Sequence, residues 1–218
     1  MQKSSNENAF ISGLKSLTFS PLLQNKSATK KIAYIAVITA FLTVGNTLLE
    51  IKFSDVQFSF TLLLSMLAGV ILGGGSGFIA CVIGDAIGFM LNSWGYIYMP
   101  WVGLTSGVTA LLSGVIFYKV KFEFRFATIL KMVLICLSSF LIGTVLINST
   151  GFYFYNYKMG FSTAVINYIK DTFGGDVTFL GYVLYRLIFK LQILNCLVNY
   201  ALFIISLPII LKVLKIRA

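Results

Sequence analysis

A chain of 218 residues with 58% hydrophobic residues, 11% charged residues and mean hydropathy +0.90 lacks the polar surface that a soluble core requires. It has a net charge of +10 and no histidine, so it lacks the commonest metal ligand and the commonest general base. Its basic residues flank apolar blocks instead of forming one stripe, which argues against nucleic-acid binding. The expected fold is an all-α membrane protein, a six-transmembrane-helix bundle with spans of roughly 20 residues.

Residues 1–30 read as a polar cytoplasmic tail and are not expected to be a cleaved signal. Phe10, Ile11, Leu14 and Leu17 recur there at helical spacing, as in a short helix on the inner membrane surface or a disordered tail. Residues 31–218 form the membrane domain. Its first span, Ile32–Leu49, contains Ala33, Ala36 and Ala40. Small residues four apart allow backbone-to-backbone approach, either inside the bundle or against another membrane subunit. After Glu50, Lys52 and Asp55 comes a second span, Val56–Leu72, and then Gly73, Gly74 and Gly75 as a tight turn. The third span is Ser76–Leu91; a five-span count, with the second and third merged, makes one crossing too long.

Asp85 is the one acidic residue well inside a span, where a carboxylate costs a few kcal/mol and has to face a cavity or a partner. Its frame, Gly84-Asp85-Ala86-Ile87-Gly88, lets a helix or a ligand come close. The outer loop, residues 92–100, together with Trp101 gathers Trp94, Tyr96, Tyr98 and Trp101. These rings suit an interfacial belt, a stacking lid over a planar ligand, or both. The fourth span, Trp101–Tyr118, repeats the small-residue spacing with Gly103 and Gly107. A basic inner loop with Lys119, Lys121 and Arg125 follows, and then the fifth span, Phe126–Ile147.

The longest connection, residues 148–186, is outward-facing and aromatic, and residues 161–173 suit an interfacial helix. In the sixth span, Leu187–Leu211, Gln192, Asn195 and Asn199 share one helical face and need partners, whether helices or a polar ligand. Arg186 and Lys190 lie near its outer end on the opposite face of an ideal helix. They either snorkel to headgroups or, if the helix starts late or bends, meet a ligand carboxylate.

Lys3, Lys15, Lys26, Lys30 and Lys31 precede the first span, and Lys212, Lys215 and Arg217 follow the last. By the positive-inside rule both termini are cytoplasmic. Cys81, Cys136 and Cys196 all fall within spans and read as packing residues. No Walker, Gly-x-Ser-x-Gly or His-Glu-x-x-His pattern occurs, so the chain carries no ATP site of that kind and no hydrolase signature.

Taken in order, the basic start, Ala36-x-x-x-Ala40, the glycine turn, Gly84-Asp85-x-Ile87-Gly88, the aromatic loop ending at Pro100, and Ser113-Gly114-x-Ile116-x-Tyr118 resemble the substrate-binding S components of energy-coupling-factor vitamin transporters. The resemblance covers roughly residues 30–212. It is greatest to the folate-type group, whose Asn-Thr and Arg signatures match Asn148 with Thr150, and Arg186.

The resemblance implies a high-affinity vitamin-binding subunit, not an enzyme, in the bacterial cell membrane. Its partners would be a transmembrane coupling subunit, docked through Ala33, Ala36 and Ala40, and two ATPase subunits that bind the ATP; this chain would hold no cofactor. Under that reading Trp94, Tyr96, Tyr98 and Trp101 close over a flat ring and Asp85, Asn195 or Gln192 bond its edge. Asn148 belongs to the binding signature, and Arg186 or Lys190 answers a carboxylate. Folate or a related compound fits these contacts; cobalamin, pantothenate or pyridoxine, and a stand-alone small-solute transporter, are the other readings.

Overall fold

The structure is a computed structural model and describes residues 13, 15, 17–49, 51–53, 56–93, 97–122 and 126–216, without the side chains of 51–53, 56 and 57. A one-turn helix, Pro21–Gln24 (α1), leads into the long helix Ala28–Leu48 (α2). Next comes a small antiparallel hairpin, Ile51–Phe53 (β1) with Val56–Phe58 (β2), in which Lys52 faces Gln57. The remaining elements are helices: Thr61–Leu72 (α3), Gly74–Leu91 (α4), Pro100–Lys119 (α5), Ala127–Met159 (α6), Thr163–Phe173 (α7), Phe179–Phe189 (α8) and Gln192–Leu214 (α9). Among the described residues five helices, α2, α4, α5, α6 and α9, are long and apolar enough to cross a membrane.

The second span differs from the expectation drawn at Val56–Leu72. Its first residues form a strand, and helix α3 has only 12 residues, about 18 Å of rise. The reason lies at Ser59, whose backbone is tied to α9. Its N–H donates to Asn195 Oδ1 (3.3 Å) and its carbonyl accepts from Asn199 Nδ2 (2.9 Å), so neither group is left for a helical ladder. The Ser59 hydroxyl instead accepts the orphan N–H of Thr61 (3.1 Å). The glycine turn shrinks to one residue: Gly73 has φ +100°, while Gly74 and Gly75 already belong to α4. A side chain at Gly73 would also strike the backbone of Phe19 and Ser20. The N-terminal segment sits on this elbow, with Ser20 N–H donating to the Leu72 carbonyl (2.8 Å) and Ser20 Oγ to the Ile71 carbonyl (2.7 Å).

The fifth span does not end at Ile147. Helix α6 runs for 33 residues, about 50 Å, and therefore outreaches the roughly 30 Å hydrocarbon layer of a bilayer. It widens into π-helical turns over Ser139–Ser149. Residues 148–186, read from sequence as a connection, are largely helical: the end of α6, then α7 and most of α8. These pack around Val165, Ile169, Tyr182 and Tyr185 as a separate aromatic core. The sixth span is broken. Leu191 adopts φ +52°, a left-handed conformation that costs a branched residue of order 1–3 kcal/mol, and α9 starts afresh at Gln192.

Helix α5 is central, packing on α3, α4 and α6, and is far more buried along its length than the peripheral α2. Backbone approach at small residues makes this possible. Gly69 of α3 lies against the Ala110 carbonyl of α5, Gly84 and Gly88 of α4 against Leu42 and Asn46 of α2, and Gly107 against Phe78 and Val82. One apolar core joins Met66, Val70, Phe117, Ile135, Phe203 and Leu207; a second joins Leu23, Leu42, Leu72, Ala80 and Ala110. At Gly69 the obstacle to a larger residue is a main-chain carbonyl, which cannot swing away. Gly69→Val is therefore expected to destabilise the protein by about 3 kcal/mol, the upper end for overpacking, and to lower its unfolding temperature in detergent.

Candidate substrate-binding site

Antiparallel packing brings chemically active residues from distant stretches to one end of the bundle. The end of α2, the starts of α3, α5 and α9, the last turns of α4 and the upper part of α6 meet there. Two polar clusters occupy this end, and residues 98–101 run between them.

The first cluster is built on Asp85, which is only 8% exposed. Its Oδ1 accepts from Asn46 Nδ2 of α2 (3.2 Å), and its Oδ2 accepts from the Tyr98 hydroxyl (3.3 Å). Gly103 leaves the room for this pair, since a Cβ there would stand 2.8 Å from Asp85 Oδ2 and 3.0 Å from the Tyr98 oxygen. The chain of bonds continues: Asn46 Oδ1 accepts from Thr61 Oγ1 (2.5 Å), Thr61 and Ser59 share a hydroxyl bond (2.5 Å), and Ser59 N–H reaches Asn195. Asn199 is committed to the scaffold, accepting from Leu63 N–H (2.9 Å) and donating to the Ser59 and Asn195 carbonyls. The amide face of α9 thus holds the start of α3, and Asn195 joins Asp85 through Asn46.

The second cluster surrounds Arg186. Its guanidinium donates to the Asn148 carbonyl (3.1 Å) and lies 4.1 Å over the Phe152 ring. Trp101 meets Phe152 edge-on (5.7 Å) and Tyr155 at a tilt (5.8 Å). Gly151 is what admits Trp101, because a Cβ at that position would fall inside the indole. Among the described residues no carboxylate pairs with Arg186, so its charge is compensated only by a carbonyl dipole and an aromatic face. The wide turns of α6 carry Asn148 to this place, and the late start of α9 lets Arg186 turn toward it.

Of the residues singled out from the sequence, Asp85, Tyr98 and Asn195 fall in the first cluster and Trp101, Asn148 and Arg186 in the second. Lys190 goes elsewhere, 5.8 Å over the Tyr185 ring, and Gln192 is half-buried in the first turn of α9. Trp94 and Tyr96 lie outside the described residues. Ala33, Ala36 and Ala40 are exposed on α2. Sequence reasoning missed Asn46, Ser59, Thr61 and Phe152. Asn46 had a signal, an amide within an apolar helix, which needs a partner as surely as Asp85 does. Phe152 had none, being one ring in an aromatic run. A hollow of about 620 Å³ beside Lys170, Gly174 and Asp176 lies on the α7 hairpin, apart from both clusters. Among the described residues no group of three metal-ligating side chains occurs.

Removing the Asp85 carboxylate takes the acceptor from Asn46 and Tyr98 together. Asp85→Ala is expected to cost about 1–3 kcal/mol, the penalty for leaving buried polar groups unpaired, read as a lower midpoint of thermal unfolding.

Among curated proteins none matches this chain. Among solved structures it is similar to the crystal structure of FolT bound with folic acid, with a TM-score of 0.51 at 18% identity, covering 82% of this chain and 90% of that one. At that identity the likeness speaks for a shared fold. A family model for transport subunits, not enzymes, described as ECF-type riboflavin transporter, S component, matches residues 26–190. With most of its length matched, this multi-pass chain belongs to the ECF-type riboflavin transporter S component family.

Proposed function

We propose that this chain is the high-affinity capture subunit of an ATP-driven uptake transporter for folate or a close relative. In this reading it sits in a bacterial cytoplasmic membrane as six helices, α3 being a short sixth, with both termini inside. The observation that carries the substrate choice is the presence of two opposite charges at one end of the bundle, Asp85 in one cluster and Arg186 in the other. A cation held by a carbonyl and a ring, with no carboxylate among the described residues, is suited to an anionic ligand group. A carboxylate beside Tyr98 is suited to the N–H edge of a heterocycle. A pterin joined to glutamate offers both ends. A flavin has an N–H edge but a neutral ribityl tail, so it leaves Arg186 unanswered. FolT, the structure that this fold resembles, is bound with folic acid.

The aromatic wall of Tyr98 and Trp101, extended in sequence by Trp94 and Tyr96, supplies faces for a flat ring. The work of transport falls to other chains in this proposal: a transmembrane coupling subunit and two ATPase subunits that bind ATP. Helix α2 offers the docking face, since it exposes Ala33, Ala36 and Ala40 to the surroundings of the bundle.

The purified chain is expected to bind folic acid with submicromolar affinity and to ignore riboflavin. Tight riboflavin binding, or none to folic acid, would overturn the choice. Arg186→Gln should weaken folic acid about 100-fold, within the range for truncating one partner of a buried charge pair. Ala36→Trp should abolish co-purification with the coupling subunit and leave vitamin binding intact; unchanged co-purification would move the docking face elsewhere.

A further inference from the structure

Two buried polar atoms beside Arg186 have no hydrogen-bond partner among the described residues: the indole Nε1–H of Trp101, a donor, and the side-chain Oδ1 of Asn148, an acceptor. Buried polar groups are nearly always paired, and an unpaired donor and an unpaired acceptor in one cluster call for an explanation. Here the two flank the same feature. The Trp101 indole rests on Gly151, one helical turn beyond Asn148, and packs edge-on to the Phe152 ring that carries Arg186. Asn148 gives its backbone carbonyl to Arg186 and keeps its side-chain oxygen.

We infer that Trp101 Nε1–H and Asn148 Oδ1 together read an amide group of the ligand, next to the carboxylate that Arg186 receives. The indole N–H donates to the amide carbonyl oxygen, and Asn148 Oδ1 accepts the amide N–H. The chemistry recognised is an N-acyl amino acid, in which one carbon separates the amide nitrogen from the α-carboxylate. It suits a site where one residue, Asn148, holds the cation through its backbone carbonyl and carries the amide-reading oxygen on its side chain. A secondary amide is trans, with C=O and N–H on opposite sides, so a donor from α5 and an acceptor from α6 can take one each. The edge of a pterin or a flavin has both on one side and no anion beside it. The inference rests on the folate reading above and assigns the benzoylglutamate part of the molecule to this end. Trp101 and Asn148 become specificity residues for the acyl-amino-acid portion, and Phe152 a positioning residue that holds both Arg186 and Trp101.

The test compares folic acid with 6-hydroxymethylpterin, which keeps the pterin but has no benzoyl carbonyl, no amide and no carboxylate. Titration calorimetry would be run on the purified full chain and on two variants, Trp101→Phe, which keeps an aromatic ring without the N–H, and Asn148→Ala, which keeps the backbone carbonyl for Arg186. Each variant is expected to weaken folic acid about tenfold, the loss of one hydrogen bond, and to leave 6-hydroxymethylpterin unchanged. Equal weakening of both ligands, or no weakening of folic acid, overturns the inference and leaves the folate reading standing. Failure of the unaltered chain to bind folic acid overturns the folate reading itself, and the inference with it. Thermal unfolding of each variant controls for misfolding; if one variant does not fold, the other decides by the same comparison.

Discussion

Inside a bilayer an apolar side chain gains little by moving from lipid to protein, so helices must be held together by something other than hydrophobic burial. In this protein the holding contact is main chain against small residue. Gly69 lies on the Ala110 carbonyl and Gly114 on the amide of Gly74, so α3, α4 and α5 touch backbone to backbone. Everything at the polar end depends on this. Only with α5 seated so closely can Gly103 admit Asp85 and Tyr98, and only then does Trp101 reach the upper part of α6.

The close contacts fix distances, and polar bonds then fix orientation. Asn195 and Asn199 hold the start of α3 through its main chain and so prevent that helix from reaching its apolar length. Asn46 occupies both sides of its amide, donating to Asp85 and accepting from Thr61. Such a network of buried hydrogen bonds is rigid in a low-dielectric medium. The Arg186 cluster is the opposite case, with a cation, an indole N–H and an amide oxygen left without full protein partners. One half of the polar end is tied together by protein hydrogen bonds, and the other keeps polar atoms unpaired.

Much of this was legible in the sequence, for physical reasons. Apolar blocks mark helices because each crossing has to be apolar for its whole length, and Asp85 stood out because a carboxylate there requires a partner. Gly84 and Gly88 could be read as approach points from their spacing alone. The break at Leu191 could not be read, since nothing in a Leu-Gln step between apolar runs announces a left-handed residue. The π turns of Ser139–Ser149 were equally silent, because they widen a helix without changing its composition. The short α3 was hidden for a different reason. The contacts that stop it come from residues more than 130 positions away in the chain, Asn195 and Asn199. The pairing of Phe152 with Arg186 is also long-range and left no periodic trace.

The left-handed residue at Leu191 has one more effect. A continuous helix would lock the rotational phase of Arg186 to that of Asn195 at 100° per residue, so that turning one turns the other. The break resets the phase. The cation and the amides are in effect mounted on separate shafts, and each can be re-aimed by local changes without disturbing its neighbour. A scaffold with such a reset can alter the surroundings of the cation while leaving the amide face of α9 as it is.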